Sequence, residues 1–225
     1  MSVKGKLAVL EGLDGSGKST QTPIVLEMLK KHGADVKQLS YPDYQSPSSS
    51  LVKMYLNGEL GKDADSINAY AASSFYAVDR YASYIMNWKN DFENGGNFLA
   101  TRYSTSNIIY QMSKLPKNEW DGYINWVCEY EYSKLGLPEP EKVVLLNVSP
   151  EVSSKLLMSR YRGDSSKKDI HEGNISFMTR CFESASYASK KLGWTVIECC
   201  KNDKIRSITD ISNDIFDVLK PVYCK

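Results

Sequence analysis

The chain has 225 residues, 42% of them hydrophobic, enough for one α/β domain over residues 1–225 with an ample core. Its 28 Lys and Arg nearly balance 27 Asp and Glu, so charge gives no reason to expect nucleic acid or an anionic membrane as partner. No apolar run approaches the roughly 20 residues of a membrane span, and the opening stretch is too short for a signal peptide. Five cysteines without a CxxC or Cys/His cluster read as reduced thiols in a cytoplasmic protein.

The first predicted strand, Leu7 to Leu10, runs into GLDGSGKS, Gly12 to Ser19, which satisfies GxxxxGK[ST]. Glycines let the backbone wrap without Cβ clashes, so that successive N–H groups point at a phosphate. The helix that follows adds the positive end of its dipole. Gly12, Leu13, Asp14, Gly15, Ser16, Gly17, Lys18, Ser19 and Thr20 are the expected nucleoside triphosphate-binding residues, for ATP in the family reading below. Lys18 is expected on the β- and γ-phosphates, and the Ser19 hydroxyl on Mg²⁺.

The first helix is predicted from Lys18 to His32, ending at Gly33, with Pro23 predicting a kink or a shifted start. Further strands are predicted at Asp35 to Leu39, Phe98 to Ala100, Val143 to Val148 and Trp194 to Cys199. Residues 41–50 read as a loop in which a serine caps a helix starting near Leu51. Other helices are predicted over Ser66 to Asn90, Glu119 to Lys134, Pro150 to Arg160, Asn174 to Leu192 and Ile205 to Leu219. This alternation predicts a five-stranded parallel sheet covered by helices on both faces. RYRGDSSKKDIHEG, 160 to 173, is polar and basic with two glycines, the composition of a surface lid.

Two segments look chemical. On a helix, Tyr76 of FYAVDR shares a face with Asp79 and Arg80. An aromatic beside a guanidinium can stack on a flat base and donate to its carbonyl; a half-buried ion pair is the plainer reading. TRYSTSNIIYQ, Thr101 to Gln111, follows the third strand, so its side chains emerge at the carboxyl end of the sheet, where ligands bind.

With EGLDGSGKSTQ, YPD (Tyr41 to Asp43), FYAVDR, TRYSTSNIIYQ and KDIHE (Lys168 to Glu172) in this order, the chain resembles the thymidylate kinase family. The resemblance implies a three-layer P-loop NTPase fold with a short lid, and transfer of the ATP γ-phosphoryl group to dTMP with Mg²⁺. It implies dTMP contacts from Asp14, Tyr41, Tyr76, Arg80, Arg102, Ser106, Tyr110 and Gln111. Tyr76 matches the aromatic that stacks on thymine and Arg80 the arginine that contacts the base. Arg102 matches the arginine on the acceptor phosphate, and Asp14 the carboxylate that orients the acceptor side.

The P-loop offers no arginine of its own, so Arg160 or Arg162 is expected as the catalytic lid residue, with Lys167 and Lys168 as alternatives. The family typically has Asp where this chain has Thr101, so Glu11, Asp14 or Asp79 must take over that charge, or turnover is impaired. Alternatives are a kinase for another pyrimidine nucleotide or a deoxynucleoside, and a catalytically weakened nucleotide-binding protein. The resemblance also raises a homodimer, for which Cys128 to Tyr132 is one candidate face.

Overall fold

The computed structural model describes residues 4–160, 171, 174–202 and 204–224, without the side chain of Arg160. Five parallel strands, β1 Leu7–Gly12, β2 Val36–Ser40, β3 Asn97–Thr101, β4 Lys142–Asn147 and β5 Thr195–Glu198, form a sheet in the order β2-β3-β1-β4-β5. They are the five predicted strands, with ends shifted by only one or two residues. Around them run α1 Lys18–Lys31, α2 Ser50–Leu56, α3 Ala69–Ser83, α4 Lys89–Glu93, α5 Ser104–Tyr110, α6 Trp120–Cys128, α7 Pro150–Arg160, α8 Ile175–Lys191 and α9 Ile208–Tyr223.

Alternation along the strands produces the three layers. Leu7 and Val9 face a core shared with Phe98, Ala100, Val143 and Leu145, closed by α5, α6 and α8. Ala8 and Leu10 face a second core with Leu99, Val144 and Leu146, closed by α1 and α9. Successive side chains point to opposite faces, and both faces are covered. That is why the central strands read as unbroken apolar runs.

The departures from expectation have local causes. The run expected over Ser66 to Asn90 opens at Ala69, where Asn68 Oδ1 accepts the Ala71 N–H at 2.9 Å. It then passes from α3 through a π turn at Tyr84–Trp88 into α4. The Glu119 to Lys134 run is α6 followed by a second π turn, Glu129–Lys134. A π turn shifts the face that later side chains present, and this one carries Glu131 into the interior, 1% exposed.

Helix α5 is not among the predicted helices; burial of most of its seven residues sustains it where periodicity gives no signal. Helix α9 starts at Ile208 because Ile205 pairs with Cys200 in a small hairpin, β6 Cys200–Lys201 and β7 Lys204–Ile205. Pro23 sits inside α1 without ending it, and the helix starts at Lys18 as expected. In the 41–50 loop, Ser46 Oγ accepts the Ser48 N–H at 3.3 Å, capping a short turn that leads into α2. The expected lid at about 160–173, with Arg162, Lys167 and Lys168, lies outside the described residues apart from His171 and the end of α7. Among the described residues no helix is long and apolar enough to cross a membrane.

Candidate active site

Strand β1 ends between β3 and β4, with Leu10 opposite Thr101 and Gly12 opposite Leu146. Neighbouring connections leave to opposite sides here, and a crevice opens at the carboxyl ends of the strands. The loop beyond β1 takes Gly15 and Gly17 through φ of +79° and +91°. A Cβ on Gly15 would lie 2.5 Å from the Ser153 carbonyl oxygen and 2.9 Å from Leu157 Cγ. The loop tip is thus pressed against α7, and glycine alone fits. The Ser16 N–H donates to Leu13 O at 3.1 Å, closing the turn, and α1 starts directly after Gly17. Lys18 Nζ folds back over the loop, donating to Gly12 O at 2.6 Å and Leu13 O at 2.8 Å.

Asp14, Gly15, Ser16, Gly17, Lys18 and Ser19 line a cleft of about 420 Å³, with Tyr41, Thr101 and Arg102 across from them. Gly12 and Leu13 lie behind it and act through the carbonyls that hold Lys18. Thr20 is exposed and is not part of the lining.

A second cleft of about 490 Å³ adjoins the first. Its centre is Arg102, whose φ of +65° is uncommon for a residue with a side chain. Neighbouring bonds hold it there. The Arg102 N–H donates to Leu10 O at 3.3 Å, and the next N–H, of Tyr103, donates to Glu11 Oε1 at 3.2 Å. The same buried oxygen accepts the Thr105 hydroxyl at 2.6 Å and the Ser106 hydroxyl at 2.7 Å. One carboxylate therefore pins the start of α5 and with it the direction of Arg102.

Arg102 Nη2 donates to Asp14 Oδ1 and, at 3.1 Å, to the Tyr110 hydroxyl, which in turn donates to Asp14 Oδ2 at 2.9 Å. Burial pushes the Asp14 pKa up, but Arg102 and Lys18 outweigh it and hold it at about 2 against an ordinary 3.8. Helix α3 brings Tyr76 and Arg80 to the same cleft, and Ser106, Tyr110 and Gln111 come from α5 and its end. All eight residues expected around dTMP line it. Gln111 is 1% exposed, and its Oε1 has no hydrogen-bond partner among the described residues, a state that a ligand donor would relieve.

The family model for thymidylate kinase matches residues 10–209. The chain belongs to the thymidylate kinase family. A thymidylate kinase from Mycobacterium tuberculosis is 30% identical over 176 residues, covering 77% of this chain and 81% of the relative. One from Plasmodium falciparum is 27% identical over 213 residues, covering 94% and 88%. The solved structure of the Candida albicans thymidylate kinase superposes with a TM-score of 0.71 at 20% identity, over 99% of this chain and 94% of that one. The P-loop NTPase fold expected from the resemblance is the fold found.

Within this thymidylate kinase fold several side chains have commitments that the motifs do not reveal. Ser106 lines the cleft, yet its hydroxyl is held by Glu11. The Tyr41 hydroxyl contacts Ser83 and Trp88 Nε1. Arg80 pairs with Glu131, and not with Asp79. Pro42, Tyr44, Asn107 and His171 also line the cleft and were not expected. Only the KDIHE match signalled the segment that holds His171. Its ring stacks on Tyr110 at 5.5 Å, with Nε2 at 2.9 Å from the Tyr55 hydroxyl. Burial pulls its pKa down to about 3, so it stands in the cleft as a neutral ring.

None of the three carboxylates expected to replace the missing charge at Thr101 is uncommitted. Glu11 pins α5, and Asp14 holds Arg102. Asp79 accepts the Asp43 N–H at 2.8 Å and the Ser48 hydroxyl at 2.6 Å. Thr101 Oγ1 instead lies 3.0 Å from Thr22 Oγ1. Among the described residues no group of three His, Cys, Asp or Glu is placed to hold a metal ion. The Ser19 hydroxyl in the P-loop cleft still fits a magnesium ion that keeps phosphate oxygens and waters as its other ligands.

Proposed function

We propose that this thymidylate kinase transfers the γ-phosphoryl group of ATP to dTMP, giving dTDP and ADP. The observation that carries the reading is that Asp14, Tyr41 and Arg102 line both clefts. A triphosphate on the P-loop and a monophosphate on Arg102 would then face each other across one ion pair. The attacking phosphate oxygen is already ionised, so no general base is needed, and positioning with cationic clamps carries the rate.

In this reading Lys18 holds the β- and γ-phosphates and Arg102 the acceptor phosphate, oriented by Asp14. Tyr76 stacks on thymine. The orphaned Gln111 oxygen accepts the ring N–H of the base, and Arg80 donates to a ring carbonyl. Ser19 would hold Mg²⁺, which would supply neutralising charge at the phosphates. Arg160 or Arg162, from a lid at about 160–173 of a single domain, supplies the remaining cation. All five cysteines are free, which supports a reducing, cytoplasmic setting.

Self-association is part of the proposal, with a different face from the one expected. Glu131 lies in the interior and Tyr132 is half-buried with its hydroxyl 2.6 Å from Ser104 Oγ, whereas Val78, Tyr81, Ile85 and Met86 are exposed. Sedimentation of wild type beside Met86→Lys tests that surface: a monomer in both removes it.

The deciding assay is ADP release with dTMP, dUMP, dCMP and thymidine as acceptors. The highest kcat/KM is expected for dTMP. A higher value for thymidine or dCMP would replace the acceptor in this reading.

A further inference from the structure

We infer that Glu131 is a positioning residue that sets which pyrimidine the acceptor cleft takes, by holding the Arg80 guanidinium in one plane. The inference rests on the dTMP reading above. Arg80 lines the cleft although it is only 1% exposed. Its Nε donates to Glu131 Oε2 at 2.7 Å and its Nη2 to Glu131 Oε1 at 2.6 Å. This two-pronged pair uses one edge of the guanidinium and leaves the Nη1 hydrogens and the second Nη2 hydrogen for a ligand. The Asn107 side-chain amide, also in the cleft lining, donates to Glu131 Oε1 at 2.9 Å and to Ser73 O at 3.3 Å. Glu131 itself is absent from the lining and arrives from the π turn after α6.

Two physical consequences follow. A nucleobase is uncharged, and sealing a lone guanidinium beneath it would strip a full charge of water for no return; with Glu131 attached the floor carries no net charge. A fork-shaped pair also fixes the plane of the guanidinium where a single bond would leave it free to turn. The fixed N–H then meets a ring carbonyl, as thymine and uracil present at position 4. It opposes the amino group that cytosine has there, donor against donor. Discrimination of this kind depends on the donor being unable to swing away.

The test is steady-state kinetics of Glu131→Asp with dTMP, dCMP and ATP, beside melting temperatures. Aspartate keeps the charge, so the buried arginine stays compensated, but it is one methylene short and cannot hold both nitrogens in the same geometry. The expected result is a KM for dTMP raised about tenfold, with kcat and the ATP KM within about threefold of wild type. The ratio of kcat/KM for dTMP over dCMP should fall about tenfold. Glu131→Gln, melting lower, should shift the same ratio in the same direction.

A lower melting temperature with an unchanged KM and an unchanged ratio would assign Glu131 to folding alone and overturn the inference, leaving the acceptor reading intact. Wild type that shows no preference for dTMP over dCMP would overturn both.

Discussion

The two clefts that meet at Asp14 and Arg102 are built on different principles. The P-loop side is mostly main chain: glycine conformations, amides at the start of α1, and carbonyls that park Lys18. The acceptor side is mostly side chain, drawn from the loop after β2, from α3, from α5 and from residue 171, with Glu131 behind it. A main-chain site depends on a few residues at fixed spacing. A side-chain site depends on which distant elements happen to pack, and two of its residues, Arg80 and Ser106, are held by carboxylates outside the lining.

The strongest way to break the first half of that contrast is to remove the lysine that the loop carbonyls hold. Lys18→Ala should lower kcat by ~10²-fold or more, the scale of losing a preorganised charge donor; near-normal ADP release would remove Lys18 from the mechanism. Thr101→Asp adds a second carboxylate to this cleft, across from Asp14. It should lower the Mg²⁺ concentration giving half-maximal rate by roughly tenfold, and Mn²⁺ binding followed by electron spin resonance with a nonhydrolysable ATP analogue should tighten in parallel. An unchanged metal requirement would mean that the triphosphate alone holds the ion.

Backbone fit is tested by Gly15→Ala. The added methyl meets the Ser153 carbonyl at a positive φ, so calorimetry should show a loss of about 2 kcal/mol, against about 1 for Gly17→Ala, where no atom of the described residues lies within 4 Å. Equal losses would mean that α7 simply moves aside.

The last test sharpens the junction itself. Asp14 titrates in the folded state at about 2, below its ordinary 3.8, so its pairing stabilises the fold above pH 4. That contribution disappears as pH falls through 2. The stability gap between wild type and Asp14→Asn, about 2 kcal/mol at pH 5, should shrink to about 0.4 kcal/mol at pH 2. A gap independent of pH would mean that the carboxylate contributes shape and no charge.

The same contrast explains how much could be read in advance. All five strands and the P-loop were legible, since each is declared by a short local pattern. The acceptor residues were legible only through family motifs, and their partners were not. Tyr76, Asp79 and Arg80 share a helix face, which suggested an internal ion pair, yet Asp79 ties down the 41–50 loop while Arg80 reaches 51 residues along the chain to Glu131. The π turn that delivers Glu131 leaves no mark in the amphipathic period. Helix α5 escaped for a related reason: burial on most sides leaves no polar face to give the rhythm away.

Glu11 carries one last implication. It belongs to neither cleft lining, but its four hydrogen-bonded neighbours among the described residues include the residue just after Arg102 and the residue that opens the phosphate loop. Genetic drift at this position would misalign donor and acceptor together while sparing every group that meets a nucleotide. A saturation screen for lost growth should therefore flag position 11 as sharply as position 18, and a search confined to ligand neighbours would overlook it.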